Sequence, residues 1–319
     1  MGAGAEPARG VRRVVLPIPF ELDHVNVYLV QQGDGWLLID SGIETNACFN
    51  ALAEGLRSQG ISIADIRSIV LTHMHPDHIG LASRVIELSG ARLMMHGAEL
   101  EHLRAIIDGS HNTMDEGLRR AGVPEPLQRQ VRIAIGMLRN SLQSLNPDQV
   151  FEGGETIETE HEVYEVIWSP GHSPGHICLY ARRAKLLFSG DHILTDITPN
   201  ISWQPGRDTL DDFLASLRKL EPYDIDLVLP SHGEPFDGHR EWIADTMRHH
   251  EDRSNAIAAL LERRPQSAHE LMAGIWPGRF GPFHYYFAVF EVLAHLEHMR
   301  RNGKVRADGE LWLNSNHGS

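Results

Sequence analysis

Cysteine is nearly absent from this 319-residue chain, which contains only Cys48 and Cys178. Two cysteines so far apart in sequence allow at most one disulfide, and two separate reduced thiols in the core are favoured. Reduced thiols are typical of a reducing compartment, so the sequence predicts a cytoplasmic protein.

Long hydrophobic runs are also missing. No apolar stretch approaches the roughly 18 residues that a membrane span requires. The first seven residues lack the apolar segment of a secretory signal and are predicted to be a short disordered lead. With 42% hydrophobic residues, the composition is that of an ordinary globular protein without a membrane segment.

Basic residues are less frequent than acidic residues. Lys and Arg total 29 against 43 Asp and Glu, which gives a formal net charge of -14. Binding to nucleic acid by phosphate neutralisation needs a basic surface, and the sequence shows no basic cluster. The charge balance therefore favours a small-molecule partner over RNA or DNA.

Histidine, by contrast, is concentrated in one short stretch. The run Thr72-His73-Met74-His75-Pro76-Asp77-His78 places three imidazoles and a carboxylate within six residues. These are the donor groups that a cation such as Zn²⁺ selects. Pro76 and Gly80 disfavour a helix through this run, so a loop after the strand at 67–71 is predicted to carry the ligands.

Three later turns repeat the arrangement of a strand that ends in a ligand-type side chain. The turns are rich in Gly, Pro and Ser, which favour tight backbone geometry. The candidate ligands in these turns are His172 (169–176), Asp191 (188–192) and His232 (229–235). Four strand-end loops with such side chains predict one shared metal site.

The order of predicted elements indicates an α/β layered domain followed by a smaller helical module. Strands alternate with helices up to about residue 96. Helical spacing dominates from about 97 to 147, which predicts an insertion whose apolar stripe is favoured as core over a lid. After Gly238 the chain is mainly helical and ends in a predicted hairpin, 303–306 with 310–313, which is typical of a winged helix. The predicted domains are 1–238 and 239–319.

The motif H-x-H-x-D-H, followed by a distant His, Asp and His, resembles that of the metallo-β-lactamase-fold hydrolase superfamily. The resemblance extends from about Val14 to Gly238. It implies a four-layer αββα sandwich with metals at one edge of two sheets. The stretch 190–200 and the C-terminal helices resemble a glyoxalase II-like, lactamase-β-like subgroup that has a winged-helix tail.

The resemblance also implies a ligand set for two divalent metal ions. His73, His75 and His172 would bind the first ion, Asp77, His78 and His232 the second, and Asp191 would bridge both. Zinc suits these donors, although iron and manganese do as well. Asp40 is either a residue that orients a ligand imidazole or the N-cap of the following helix. His176 and His192 are expected to support the ligands or to pack.

This site predicts a hydrolase in which metal-bound hydroxide attacks an acyl carbon, with Asp77 assisting in proton transfer. A thioester or a related acyl compound is the favoured substrate. An acyl-homoserine-type lactonase, a phosphodiesterase or ribonuclease, and a mononuclear iron persulfide dioxygenase remain as alternatives. Asp191 argues against a true zinc β-lactamase, and His75 argues against a flavo-diiron oxidase. A binding protein without activity is disfavoured because the ligand set is complete.

Aromatic residues and the C-terminal module complete the sequence-based predictions. Phe20, Trp203 and the run 283–286 either line a substrate pocket or belong to the core, and core positions are favoured. The C-terminal module carries acidic residues among its basic ones, which disfavours DNA binding; they include Glu291, Glu297, Asp308 and Glu310. A structural role is expected instead, either closing the cleft or forming a homodimer interface.

Overall fold

Two β-sheets lie face to face at the centre of the protein, in a computed structural model that describes residues 6–19, 22–110, 113–139, 142–195 and 197–315. The first sheet has six strands in sequence order: β1 (Val11–Pro17), β2 (His24–Gln32), β3 (Gly35–Ile39), β4 (Ile66–Val70), β5 (Arg92–His96) and β6 (Gln149–Phe151). Strands β1 to β3 are antiparallel, whereas β3 to β6 run parallel. The carboxyl ends of β3, β4 and β5 therefore share one edge.

The second sheet has five strands in the order β11-β10-β9-β8-β7. Their bounds are β7 (Thr156–Glu158), β8 (Val163–Trp168), β9 (Ile177–Ala181), β10 (Leu186–Gly190) and β11 (Leu227–Pro230). Strands β10 and β11 are parallel, and the other pairs are antiparallel. The ends of β8, β10 and β11 therefore lie at one edge as well.

The space between the sheets is filled by large apolar side chains from both. Tyr28 and Leu37 of the first sheet share a buried cluster with Leu179 and Phe188 of the second. The rings of Tyr28 and Phe188 lie 5.1 Å apart. The outer faces are covered by helices, which is why β2 is buried on both faces.

Helices form the two outer layers, so the predicted αββα sandwich is confirmed. Those on or near the first sheet are α1 (Asn46–Ser58), α2 (Pro76–Ile79), α3 (Ala82–Ser89) and α4 (Gly97–Ile107). Helix α1 buries the stripe Cys48, Leu52 and Leu56, and its first turn is capped by the side chain of Thr45, which accepts a hydrogen bond from the Cys48 N–H. Helix α7 (Thr209–Leu220) contributes to the core on the second sheet.

The chain between β5 and β6 is helical, as the 97–147 spacing predicts. Helix α4 is followed by α5 (Thr113–Arg120) and α6 (Glu125–Arg139). The C-terminal part contains α8 (His239–Leu261), α9 (Ala268–Ile275) and α10 (Pro282–Arg301), with a small sheet of β12 (Gln266–Ser267), β13 (Val305–Asp308) and β14 (Leu311–Asn314) in the order β12-β14-β13. Three helices with a terminal hairpin match the winged-helix-like prediction.

One local prediction is wrong. The histidine run is a loop only as far as His75, after which α2 forms a single helical turn that carries Asp77 and His78. Pro76 occupies the first helical position, where its missing N–H costs nothing because that group has no partner within the helix. Proline therefore starts this turn rather than preventing it.

A hydrophobic cluster spans the predicted domain boundary at residue 238. It joins Leu118 of α5 and Phe213 of α7 to Val289 and Phe290 of α10. The division into 1–238 and 239–319, like the homodimer, stays a prediction. Both cysteines are buried and free, as expected. In the described part of the chain, no helix combines the length and apolar character that a membrane crossing needs.

Candidate metal centre

The predicted ligands converge at the edge where the strands of both sheets end. The segment after β4 carries His73 and His75, and α2 adds Asp77 and His78. The loops after β8, β10 and β11 bring His172, Asp191 and His232 to the same place. All seven side chains therefore lie in two adjoining groups, although they are up to 159 residues apart in sequence, from His73 to His232.

The first group contains His73, His75, His172 and Asp191, one donor atom of each lying within 4.8 Å of the others. The Nδ1 atom of His75 lies 2.9 Å from Nε2 of His73 and 3.0 Å from Nε2 of His172. Three imidazole nitrogens that face one another at this distance are arranged as ligands around a common point.

The second group contains Asp77, His78 and His232. Oδ2 of Asp77 lies 3.3 Å from Nε2 of His232 and 3.6 Å from Nε2 of His78. This group combines two imidazoles with one carboxylate, which is again a donor set for a divalent cation.

Asp191 faces both groups with different oxygen atoms. Its Oδ2 lies 3.6 Å from Nε2 of His172 and 3.8 Å from Nε2 of His73. Its Oδ1 lies 3.6 Å from Nε2 of both His78 and His232. This is the geometry that a carboxylate needs in order to bridge two ions.

Hydrogen bonds at Nδ1 fix the ring orientation and the position of the proton in three of the ligand imidazoles. Nδ1 of His172 donates to the Asn200 carbonyl (2.9 Å), Nδ1 of His232 to the His24 carbonyl (2.8 Å), and Nδ1 of His78 to Asp40 Oδ2 (2.9 Å). With the proton on Nδ1, each ring leaves its Nε2 lone pair free to bind a cation.

Asp40 holds the ligand segment in place. Its carboxylate accepts hydrogen bonds from the N–H and the hydroxyl of Thr72, at 2.8 Å each, as well as from His78. It adopts a left-handed backbone conformation with φ of 58° directly after β3. Thr45, not Asp40, caps helix α1, so of the two sequence-based interpretations the orienting role is the one observed.

Glu99 is a supporting residue that motif reasoning missed. Its carboxylate is fully buried and accepts hydrogen bonds from the Met74 N–H (2.8 Å), the Gly175 N–H (2.6 Å) and the Ser173 hydroxyl (3.0 Å). It therefore ties the His73–His75 loop to the His172 loop. The only sequence signal was an acidic residue in the first turn of a helix, which is too common to predict this role.

The two histidines beside the ligands behave differently. His176 accepts a hydrogen bond from the Asp191 N–H through Nε2 (3.1 Å) and contacts the Ser169 hydroxyl through Nδ1 (2.9 Å), so it positions the loop that carries Asp191. His192 is fully buried against Phe213, and its ring nitrogens have no hydrogen-bond partner among the described residues. His192 is thus a packing residue.

Burial and neighbouring charges shift the pKa values of the ionisable side chains in this site. Burial lowers the pKa of His75 to about 3, so this ring is neutral. Burial would also lower the pKa of His232, but Asp191 and Asp77 outweigh it and raise the pKa to about 10. Burial would raise the pKa of Asp77, yet His78 and His232 bring it to about 2. A divalent cation would take the place of the extra proton on His232 and balance the charge of the same carboxylates.

The profile of the metallo-β-lactamase superfamily matches residues 21–232, which is two thirds of the sequence. This stretch contains every residue of the two groups described above.

The chain belongs to the metallo-β-lactamase superfamily.

Individual relatives agree with this assignment. The chain is 26% identical to a probable metallo-hydrolase, YqjP, from Bacillus subtilis, over 88% of this chain and 89% of the relative. It is 28% identical to the acyl-coenzyme A thioesterase MBLAC2 of Gallus gallus, over 68% of this chain and 76% of that protein. A metallo-beta-lactamase family protein from Thermus thermophilus has a similar structure, with a TM-score of 0.86 and 29% identity over 97% of this chain and 100% of that chain.

The residues of this superfamily member fit a pair of metal ions. Nε2 of His78 and Oδ1 of Asp191 are buried and have no hydrogen-bond partner in the described part of the chain. Buried polar atoms without partners cost free energy unless a ligand satisfies them, and both atoms face the second group. Together with the family, this donor set identifies a metal-dependent hydrolase with a site compatible with two metals.

A chamber of about 720 Å³ opens onto this centre. His75, Asp77, His172, Asp191 and His232 form part of its lining. The remaining lining comes mainly from apolar side chains of the 97–147 insertion, of the 194–203 segment and of the start of α10. Such a chamber is of ordinary size for a small-molecule site.

The predicted aromatic residues divide between the chamber and the core. Trp203, Phe283, His284 and Tyr286 line the chamber, so the preference for core positions is wrong for Phe283 and His284. Trp203 and Tyr286 also pack against the core. Tyr285 is buried, with its hydroxyl 2.7 Å from Nδ1 of His269. Phe20 lies outside the described residues.

Proposed function

We propose that the protein hydrolyses thioesters or closely related acyl esters, using two metal ions held by His73, His75, Asp77, His78, His172, Asp191 and His232. The observation that carries the proposal is the position of Asp191 between the two ligand groups, with one carboxylate oxygen facing each group. A pair of ions bound there would lower the pKa of a water molecule and polarise the acyl oxygen.

The chain's own residues supply the remaining functions. Asp77 lines the chamber beside His232, and its lowered pKa of about 2 keeps it ionised at neutral pH. Its ionised carboxylate lies at the chamber, where it is available to accept a hydrogen bond from the attacking water and to assist in proton transfer. Asp40 and Glu99 hold the ligand loops, which keeps the reacting groups in a fixed geometry.

The lining of the chamber favours an acyl over a phosphodiester substrate. None of the described side chains that line it belongs to Lys or Arg, the residues that bind phosphate groups in phosphodiesterases. The similarity to an acyl-coenzyme A thioesterase supports the same preference. Zinc is the proposed metal because imidazole and carboxylate donors suit it.

An acyl-homoserine-type lactonase is the second candidate. Its substrate also combines an activated acyl carbon with an apolar tail, so the same chamber supports it. A mononuclear iron dioxygenase is less well supported because the second group, Asp77, His78 and His232, would then be unused.

The test compares four substrates on the zinc-loaded enzyme: butyryl-CoA, a glutathione thioester, an acyl-homoserine lactone and bis-(p-nitrophenyl) phosphate. We expect thioester cleavage to be fastest. Replacing Asp191 with Ala should lower kcat/KM at least about 100-fold, since even residues that only orient ligands contribute 10- to 100-fold.

The control is Asp34→Ala, at an exposed carboxylate in the β2–β3 turn, which should leave the rate unchanged. Circular dichroism of both variants checks the fold. Rapid phosphodiester cleavage without thioester cleavage, or a fully active Asp191→Ala enzyme, would overturn the proposal.

A further inference from the structure

The chamber beside the metal centre has one polar and reactive end. The ligand side chains gather on one part of its lining, and Ser173 and Asn200 lie next to them. Elsewhere the lining is mostly apolar: Ile106 of α4, Ile135 and Leu138 of α6, Leu194, and Phe287 of α10. A molecule that fits such a space has a reactive head and an apolar tail.

The charge of the lining excludes some tails. Apart from the aspartates of the metal centre, the lining formed by described residues contains no carboxylate, and it contains no Lys or Arg. Away from the metal centre, the polar part of the lining consists of hydroxyl, amide and imidazole groups, including those of His102 and His284. A charged tail would lose its hydration there without gaining an oppositely charged Lys, Arg, Asp or Glu partner, which costs several kcal/mol. The tail is therefore uncharged.

The size of the chamber limits the length of the tail. Its volume of about 720 Å³ equals roughly two dozen water molecules at about 30 Å³ each. An acetyl group would leave most of this space unfilled by apolar atoms. A carbon of an alkyl chain takes up about as much room as one water molecule, so a chain of about eight to twelve carbons occupies roughly half of this space. The other half is then left for the ester group at the metal centre and for the leaving group of the substrate.

One residue of the lining leaves unusual space. Gly136 lies in the interior of α6, where glycine lowers helix stability by about 1 kcal/mol relative to alanine. A Cβ atom added there would meet no described atom within 4 Å. The packing around the helix therefore leaves room for a larger residue than glycine at this position. The missing side chain instead widens the chamber that Gly136 lines.

We propose that the chamber binds an aliphatic acyl chain of about eight to twelve carbons, and that Gly136 keeps the space for its distal part open. The inference rests on the proposed acyl hydrolysis and names its substrate class. The carbonyl carbon lies at the metal centre, and the chain extends between α4, α6 and the start of α10.

The first experiment measures kcat/KM of the zinc-loaded enzyme for acyl-CoA thioesters from acetyl to hexadecanoyl. Burial of each methylene contributes about 0.8 kcal/mol, which corresponds to about a fourfold increase per carbon. We expect such a rise up to about ten carbons, followed by a plateau or a fall. A profile that is flat, or that is highest for acetyl-CoA, would overturn the inference.

The second experiment uses Gly136→Leu, with Gln130→Leu as the matched control. Gln130 lies on the exposed face of the same helix, so the same side chain is added outside the chamber. Filling the chamber should lower the ratio of kcat/KM for decanoyl-CoA to kcat/KM for acetyl-CoA at least tenfold, whereas the control keeps the original ratio. An equal loss at every chain length, or an unchanged profile, would contradict the role of Gly136.

Binding separates this inference from the proposed function. Decanoate and butyrate share the carboxylate head, so their difference in affinity, measured by titration calorimetry of the zinc-loaded protein, reports on the chain alone. We expect decanoate to bind at least 100-fold more tightly, and Gly136→Leu to remove most of this difference. If the protein binds decanoate more tightly than butyrate but cleaves no thioester, the proposed function fails and the inference that the chamber binds an acyl chain stands. Equal affinities for decanoate and butyrate would contradict that inference.

Discussion

At the scale of single residues, the ligand set could be read from the sequence but its support could not. The seven ligand-type residues follow strands in segments with recognisable motifs, and the structure brings all seven together. Glu99 contacts the same loops through two backbone N–H groups and a hydroxyl. Every residue except proline has a backbone N–H, so the residue type does not indicate which of these groups a carboxylate will contact. Contacts of this kind could therefore not be predicted from the sequence.

Asp40 provides a test at this scale. Its carboxylate accepts four hydrogen bonds, from the Thr72 N–H and from the Thr72 hydroxyl, the His78 ring and the Ser231 hydroxyl. In Asp40→Asn, one acceptor oxygen becomes an NH₂ group that faces a donor. We expect a 10- to 100-fold loss of zinc affinity or activity, measured by competition with a chromogenic chelator and by thioester turnover.

The matched control for this variant is Asp34→Asn, which makes the same change at an exposed turn. It should retain the affinity and rate of the natural protein. Unchanged zinc affinity and turnover in Asp40→Asn would show that His78 needs no carboxylate partner to bind metal.

At the scale of elements, the long periodic segments and the terminal hairpin were predicted well, whereas the shortest strands were not. Helix α7 and the central strands follow clear apolar patterns. Strands β6, β7 and β12 have three, three and two residues, too few for a pattern to be recognised. The helical turn α2 was missed for another reason, because proline was taken as a helix breaker although it favours the first helical position.

The packing of α5 on α10 provides a test at the scale of elements. A Cβ atom at Gly117 would clash with Cζ of Phe290, whose side chain is fully buried. Gly117→Ala should therefore destabilise the protein by about 1–3 kcal/mol, even though alanine favours helix by about 1 kcal/mol. The free energy of unfolding in urea measures this change.

Gly136→Ala is the comparison, since no described atom lies within 4 Å of the added Cβ. Here the helix preference acts alone, and we expect stabilisation by up to about 1 kcal/mol. If both variants gain stability equally, α5 does not pack on Phe290 as closely as the structure indicates.

At the scale of the whole molecule, the site joins both sheets, so metal binding should stabilise the entire fold. The first sheet contributes His73, His75, Asp77 and His78 through the segment after β4, and the second contributes His172, Asp191 and His232. A ligand that binds only the folded state stabilises it by about 2.7 kcal/mol at 100 times its Kd.

Removal of metal provides the test at this scale. Mass spectrometry of the natively purified protein should find about two metal ions per chain. A chelator should lower Tm, and added zinc should restore it, with a smaller effect in Asp191→Ala because the shared oxygen ligands are lost. An identical Tm with and without chelator would show that the two sheets are not linked through bound metal.

The walls of the chamber and the metal ligands come from separate stretches of the chain. The ligands occupy loops and the helical turn α2 at strand ends, whereas most of the apolar lining belongs to the 97–147 insertion, the 194–203 segment and α10. Exchange of the insertion between relatives could therefore alter which molecules are accepted while the reaction itself is preserved. For enzyme engineering, this arrangement makes α4 and α6 the natural place for a mutant library, with the strand-end loops held constant.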